Sequence, residues 1–277
     1  MIQSTQQNPL IVTLLSILLP GAGQLYNRQP HKTILFYATL LLLPIIFVSL
    51  DWQYHFVGFA TFTFLLFTLY LLNIGDAFLA AAKIKTHERS PLTKWPLMLL
   101  LIFLGTNVYA IASDRDVIGV RAFVLRTNSM ASALETGDRI IVKMNVDKTL
   151  APSRGEMVMF HHQQYPFLIK RIIAIGGETI SGKAGEIYIN GNLIDEPYAH
   201  YVGRRESLDG FNLQHQTNDF GPITIPANHF FVMGDNRDNS FDSRDPAFGF
   251  VSRESIKGKP LYIYWARDKA RIGREIK

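Results

Sequence analysis

The chain has 277 residues, 48% of them hydrophobic and 18% charged, a balance that excludes a disordered, collagen-like or coiled-coil polypeptide. Its net charge is +5, but the basic residues of the second half are interleaved with acidic ones and form no charge run, so a nucleic-acid surface is not expected. The absence of cysteine removes disulfides, thiolate metal sites and a cysteine nucleophile.

Up to residue 113 the only charges are Arg28, Lys32, Lys83, Lys85, Arg89 and Lys94 against Asp51, Asp76 and Glu88. Four apolar stretches, 10–26, 33–50, 56–74 and 96–113, approach the roughly 20 residues needed to cross a bilayer as a helix. The first is interrupted by Pro20, Gly21 and Gly23 and reads as a broken or re-entrant helix, leaving three to four spans. No Lys or Arg precedes it, unlike a cleaved signal peptide. Its Pro-Gly-Ala-Gly-Gln-Leu-Tyr-Asn segment lacks the Gly-Lys-Ser/Thr of a phosphate loop, and close helix packing through small residues is the expected use. Asp76 falls at an interfacial position.

Positive residues collect at Arg28 and Lys32 and again between Lys83 and Lys94, whereas the connector around Asp51 has none. The positive-inside rule places both basic connectors in the cytoplasm and everything after about residue 114 outside. The expected organisation is a membrane domain, 1–114, followed by an exported domain, 115–277.

From residue 117 short β-branched runs alternate with turn residues: 117–125, 139–142, 157–160, 166–175, 186–189, 229–233 and 260–265. With turns such as Asn190-Gly191, this predicts a mostly β domain, with an irregular insertion near 198–226.

Three segments carry chemistry. Ser129, in Arg126-Thr127-Asn128-Ser129-Met130, sits where a strand gives way to a turn, a place from which a hydroxyl can act as an acyl-transfer nucleophile. In the strand 166–175, Lys170 shares a face with Leu168, Ile172 and Ala174, while Arg171 points the other way. Desolvation disfavours an ammonium; bringing a lysine from about 10.4 to 7 or 8 takes roughly 3 to 5 kcal/mol, within reach of a mostly buried site. Such a lysine can take a proton from a serine, whereas a guanidinium stays protonated. The third segment, Gly234-Asp235-Asn236-Arg237-Asp238-Asn239-Ser240 with Asp242, Ser243 and Arg244, is rich in acids but does not fit a calcium loop: Arg237 and Pro246 occupy ligand positions. It reads as a turn-rich loop braced by short-range Asp to Arg hydrogen bonds, with Ser240 directed into a cleft.

In this order the three segments resemble the boxes of type I signal peptidase, the bacterial membrane-bound Ser/Lys leader peptidase, over about residues 115–265. Segments 137–142 and 154–160 resemble its intermediate boxes, and 234–244 matches its last box at every usual fixed position. The fold class expected is N-terminal transmembrane α-helices followed by a mostly β, signal-peptidase-like catalytic domain. The resemblance implies Ser129 as nucleophile, Lys170 as general base, and Thr127 with Ser129 at the oxyanion. It implies Ser240 orienting the lysine, Asp242 and Arg244 as a structural ion pair, and Phe123 and Leu125 on the substrate-pairing strand. No cofactor or metal is implied. The partners implied are preprotein signal peptides and the lipid bilayer of the cytoplasmic membrane, with the catalytic domain on its outer face; no residue names a partner in the secretion machinery. Two departures stand out: Ala174-Ile175-Gly176-Gly177-Glu178 replaces the family's Gly-Leu-Pro-Gly-Asp, and Arg126 replaces a common proline. The family has one or two spans, so the extra apolar stretches find no explanation in it.

Other readings carry less. A self-cleaving repressor-like Ser/Lys domain does not account for the apolar spans, and penicillin-binding acyl transfer wants Ser-x-x-Lys where Ser132 stands. The alternative outside catalysis is an inactive membrane scaffold or transporter-associated protein with a peptidase-like β domain. His161, His162, His200, His215 and His229 are scattered and form no His-Glu-x-x-His.

Overall fold

The computed structural model describes residues 8–84, 119–144, 152–162, 165–202 and 218–277. It forms two compact units, 1–118 and 119–277.

The first unit is helical. Asn8 caps α1 (Pro9–Leu18), its side chain accepting from the Leu10 amide at 2.9 Å, and Pro9 begins the helix where no N–H is needed. The chain breaks at 19–21 and resumes as α2 (Ala22–Tyr26), α3 (Pro30–Ser49), a short 3₁₀ turn (Trp52–Tyr54) and α4 (Phe56–Lys83). Thus the first apolar stretch is a broken helix too short to span, while α3 and α4 are long and apolar enough to cross a membrane by length and composition. Leu35, Leu42, Ile45, Phe64, Phe67 and Leu71 on these two helices are exposed, a pattern suited to lipid rather than water. The stretch 96–113 and the charges Lys85, Arg89 and Lys94 lie outside the described residues.

Polar side chains satisfy the backbone at the break. Asn73 of α4 accepts from the Gly21 amide at 3.0 Å and donates to the Ser16 carbonyl at 3.3 Å. Gln24 of α2 and Asn27, its C-cap, donate back to the carbonyls of Asn73 and Ala77 at 2.7 and 2.8 Å, and Thr33 donates to the Gly21 carbonyl at 2.9 Å. Irregular backbone at membrane depth persists only where protein supplies such partners. A Cβ on Gly23 would stand 2.7 Å from the Val12 carbonyl and 3.0 Å from Ala77, so the small-residue segment is a packing device. Lys32 and Asp76, both partly exposed, pair at 2.6 Å.

The second unit is two antiparallel sheets. In chain order the strands are β1 (Val120–Val124), β2 (Arg139–Lys143), β3 (Met157–Phe160), β4 (Leu168–Ile175), β5 (Thr179–Lys183), β6 (Glu186–Ile189), β7 (Asn192–Leu193), β8 (Phe220–Thr224), β9 (His229–Met233), β10 (Val251–Ser252) and β11 (Ile256–Trp265). The larger sheet runs β1-β2-β11-β3-β4-β9-β10 and the smaller β7-β6-β5-β8. β1 is therefore an edge strand. Ile140, Val142, Met157, Met159 and Ile263 form one core cluster of the larger sheet, and Val158, Phe160, Ile172 and Val232 another. Asn190 and Gly191, both at positive φ, turn β6 into β7, as their sequence suggests.

The insertion expected near 198–226 needs correcting. Within it Phe220–Thr224 is a strand, β8, paired with β5, while 203–217 lies outside the described residues. β5 itself, Thr-Ile-Ser-Gly-Lys, carries little strand signal; its Gly182 admits Phe220 so closely that a Cβ would lie 2.4 Å from the ring.

Candidate active site

β1 delivers the chain into a closed loop. The Leu125 amide donates to the Asp138 carbonyl and the Gly137 amide to the Leu125 carbonyl, both at 2.9 Å, so residues 126–136 project as a turn from the sheet edge. Ser129 lies in this turn and is 7% exposed. Its hydroxyl stands 3.5 Å from that of Thr127, at the outer limit of a hydrogen bond. Among the described residues its amide makes no hydrogen bond and remains available as a donor. The turn is pinned from across the molecule: the Asn236 amide donates to the Ser129 carbonyl and its side-chain amide to the Asn128 carbonyl, both at 3.2 Å.

Lys170 lies on β4 opposite Val158 of β3 and is 3% exposed. Burial pulls its amine down to about 8; Asp242 and Asp235 oppose the fall and Arg244 adds to it. No hydrogen bond of 3.5 Å or less joins Lys170 to Ser129 or Ser240. What brings the two segments together is Gly234, whose missing side chain leaves room for both. A Cβ there would stand 2.4 Å from the Ser129 carbonyl oxygen and 2.3 Å from Oγ of Ser240. The Ser240 hydroxyl is fully buried and has no hydrogen-bond partner among the described residues, which leaves it available to an amine.

Four buried arginines shape the surrounding loops. Arg244 grips Asp242 twice at 2.9 Å and donates to the Arg237 carbonyl at 2.7 Å. Burial pushes the Asp242 carboxyl up, but the Arg244 guanidinium more than reverses this and holds it below the usual carboxylate range. Arg171, on the strand position next to Lys170, holds Asp235 through two bonds of 2.8 and 2.6 Å and lies 4.2 Å under the Tyr198 ring. Arg237 holds Glu196 at 2.8 and 2.7 Å, and Arg271 holds Asp138 at 3.2 and 2.6 Å.

The expected short-range bracing holds for Asp242 and Arg244, while Asp235 and Arg237 reach distant partners. Asp235 pairs 64 positions away and Arg237 pairs 41 positions away. Glu196 and Tyr198 carry no local signal that marks them, and Asn236, though inside the marked 234–244 segment, carries none for its reach to Asn128. The departure at 174–178 leaves a working turn, closed by Glu178, which accepts from the Ile175 amide at 2.9 Å. Phe123 and Leu125 pack on the first core cluster from the edge strand, and Phe167 meets Phe123 edge-on at 5.5 Å.

A family model described as signal peptidase, peptidase S26, matches residues 98–265, and one described as a family of unknown function (DUF5683) matches 5–61. The chain is 36% identical to signal peptidase I S of Bacillus subtilis (strain 168) over 54% of its own length and 79% of that protein. It is 31% identical to a signal peptidase I of Bacillus amyloliquefaciens over 68% of its own length and 96% of that protein. The crystal structure of a signal peptidase I from Enterococcus faecalis V583 is 32% identical, covering 40% of this chain and 97% of that one, at a TM-score of 0.32. A mostly β domain after apolar helices, with this family match over more than half the chain, places the protein among the peptidases. It belongs to the signal peptidase I family, which removes signal peptides.

Proposed function

We propose that the chain is a membrane-anchored serine endopeptidase that removes signal peptides from exported preproteins after small residues, using Ser129 and Lys170. The observation that carries this reading is an amine buried to 3% exposure whose proton affinity is lowered to about 8, beside loops that also hold the serine. With such an affinity roughly one lysine in ten is neutral at pH 7, enough to serve as a base.

In this mechanism Nζ of Lys170 takes the proton of the Ser129 hydroxyl as Oγ attacks the scissile carbonyl. Binding of substrate closes the remaining gap, since catalytic hydrogen bonds commonly tighten only in the Michaelis complex. The free amide of Ser129 and the Thr127 hydroxyl receive the developing oxyanion, each such donor lowering the barrier by about 2.7 to 4 kcal/mol. Collapse of the tetrahedral intermediate breaks the C–N bond, and the lysine gives its proton to the leaving amine. Lys170 then takes a proton from water, which attacks the ester; the acid departs and Ser129 regains its proton. Ser240 orients the amine throughout, while Asp242 and Arg244 hold the loop.

The substrate lies extended along the free edge of β1. Shallow pockets beside Phe123 and Leu125 accept small residues at the first and third positions before the cut. Helices α3 and α4 anchor the enzyme in the cytoplasmic membrane, and with residues 96–113 as a further crossing the short-loop charges support a catalytic unit on the outer face, where signal peptides remain embedded. The test uses full-length protein in detergent with a preprotein, the cut site being read by mass spectrometry. A single cut after a small residue, lost in both Ser129→Ala and Lys170→Met, is expected; cleavage retained in either variant overturns the assignment.

A further inference from the structure

The turn that carries Ser129 has a second side. Beyond the nucleophile from β1 lies a cleft of about 650 Å³ whose lining includes Asn128, Ser132, Glu135, Thr136, His200 and Asn236. A polypeptide whose acyl half pairs with β1 passes Ser129 once, so its leaving half runs out over the residues that follow the nucleophile. Those residues line the cleft.

The hydrogen-bonding capacity there is unbalanced. The Asn128 acceptor is already engaged by the Thr136 hydroxyl at 2.7 Å. Asn236, 3% exposed, spends its side-chain donor on the Asn128 carbonyl, whereas its Oδ1 is buried and has no partner. Glu135, about half exposed, stands 3.1 Å from Arg271, but the same guanidinium holds Asp138 at 2.6 Å. One cation therefore serves two carboxylates and leaves negative charge at the rim. A buried acceptor without a donor is costly, and a ligand bearing N–H groups relieves it.

We propose that this cleft binds the first residues of the released chain and favours donor-bearing cationic side chains, lysine or arginine, over acidic ones. The proposal rests on the endopeptidase reading and names the specificity of its leaving side. Asn236 meets the substrate backbone and Glu135 sets the charge preference.

The experiment compares peptides identical up to the cut, carrying Lys, Ala or Glu at the second and third positions after it, with the full-length enzyme in detergent. The native enzyme is expected to show a kcat/KM about three- to fivefold higher for Lys than for Glu peptides, as for a partly exposed ion pair. Glu135→Gln levels this ratio and Glu135→Lys inverts it, the ratio being read within each variant, and the thermal unfolding of each variant reports whether it is folded. Equal rates on all three peptides, a preference for acidic residues, or a ratio unmoved by Glu135→Lys overturns the cleft assignment and leaves the peptidase reading standing. Failure to cleave any peptide refutes the peptidase reading, and the cleft proposal falls with it.

Discussion

At the break between α1 and α2, the buried amides of Gln24, Asn27 and Asn73 each hold a backbone group at 2.7 to 3.3 Å. Around Ser129 the pattern differs. Arg171, Arg237, Arg244 and Arg271 are each bound at least twice to a carboxylate, yet Lys170 and Ser240, equally buried, have no hydrogen-bond partner among the described residues. Polar groups of the helical unit mostly close a fold, with Ser16 Oγ, Gln24 Oε1 and Gln29 Oε1 left buried and without a partner among the described residues. In the β unit most do the same, and those left unclosed include Lys170 and Ser240, to which the proposed mechanism gives work. A buried, unpaired polar group destabilises, and a protein retains one only where some other requirement holds it in place.

The contrast breaks most sharply at the lysine. Lys170→Met removes the proposed base of Ser129, and preprotein cleavage is expected to fall by about 10⁴-fold or more in single-turnover assays. Stability moves the other way. The folded amine titrates near 8 against 10.5 for the ordinary side chain, so between those values the unfolded chain binds more protons and stability rises with pH. At pH 7 the charged lysine therefore destabilises the fold, and Lys170→Met is expected to raise unfolding free energy by about 3 kcal/mol, an order-of-magnitude figure checked by denaturant titration.

Arg171 is the matched control on the same strand. Arg171→Met strands the Asp235 carboxylate in the interior and is expected to lower stability by about 3 to 5 kcal/mol in the same titration. If both substitutions shift stability alike, paired and unpaired cations do not differ as described. Thr127→Val removes the hydroxyl proposed to receive the oxyanion and is expected to reduce kcat about 10²-fold with KM little changed, Thr127→Ser restoring it. The smallest effect belongs to the helical unit. Asn73→Ala is expected to lower stability in detergent by about 1 kcal/mol, with kcat/KM on a short peptide unchanged.

Much of this contrast was legible along the chain, and the illegible part has a common cause. Strands β2, β3, β6 and β9 follow runs of Val, Ile, Met and Phe, and the candidate lysine is visible because Leu168 and Ile172 flank it on one face of its strand. A bulge after Ile172 breaks the alternation, and Ala174 packs with Ile173 in another core cluster. The interruption at Pro20, Gly21 and Gly23 likewise marks the break before α2. What stayed hidden depends on partners distant in sequence: Asn236 reaching Asn128 across 108 positions, Asp235 reaching Arg171 across 64. Strand β8 was hidden for a similar reason. Gly221-Pro222 reads as a turn, and only its pairing with β5 makes Phe220–Thr224 a strand.

The claim on which the mechanism depends is that the Lys170 amine loses its proton near neutral pH. It is tested by NMR titration of the ¹⁵N-labelled lysine amines of the full-length protein in detergent, Lys170 being assigned by the signal lost in Lys170→Met. The account predicts one amine titrating at about 8 and absent from that variant. An amine at position 170 that stays protonated above pH 10 contradicts it.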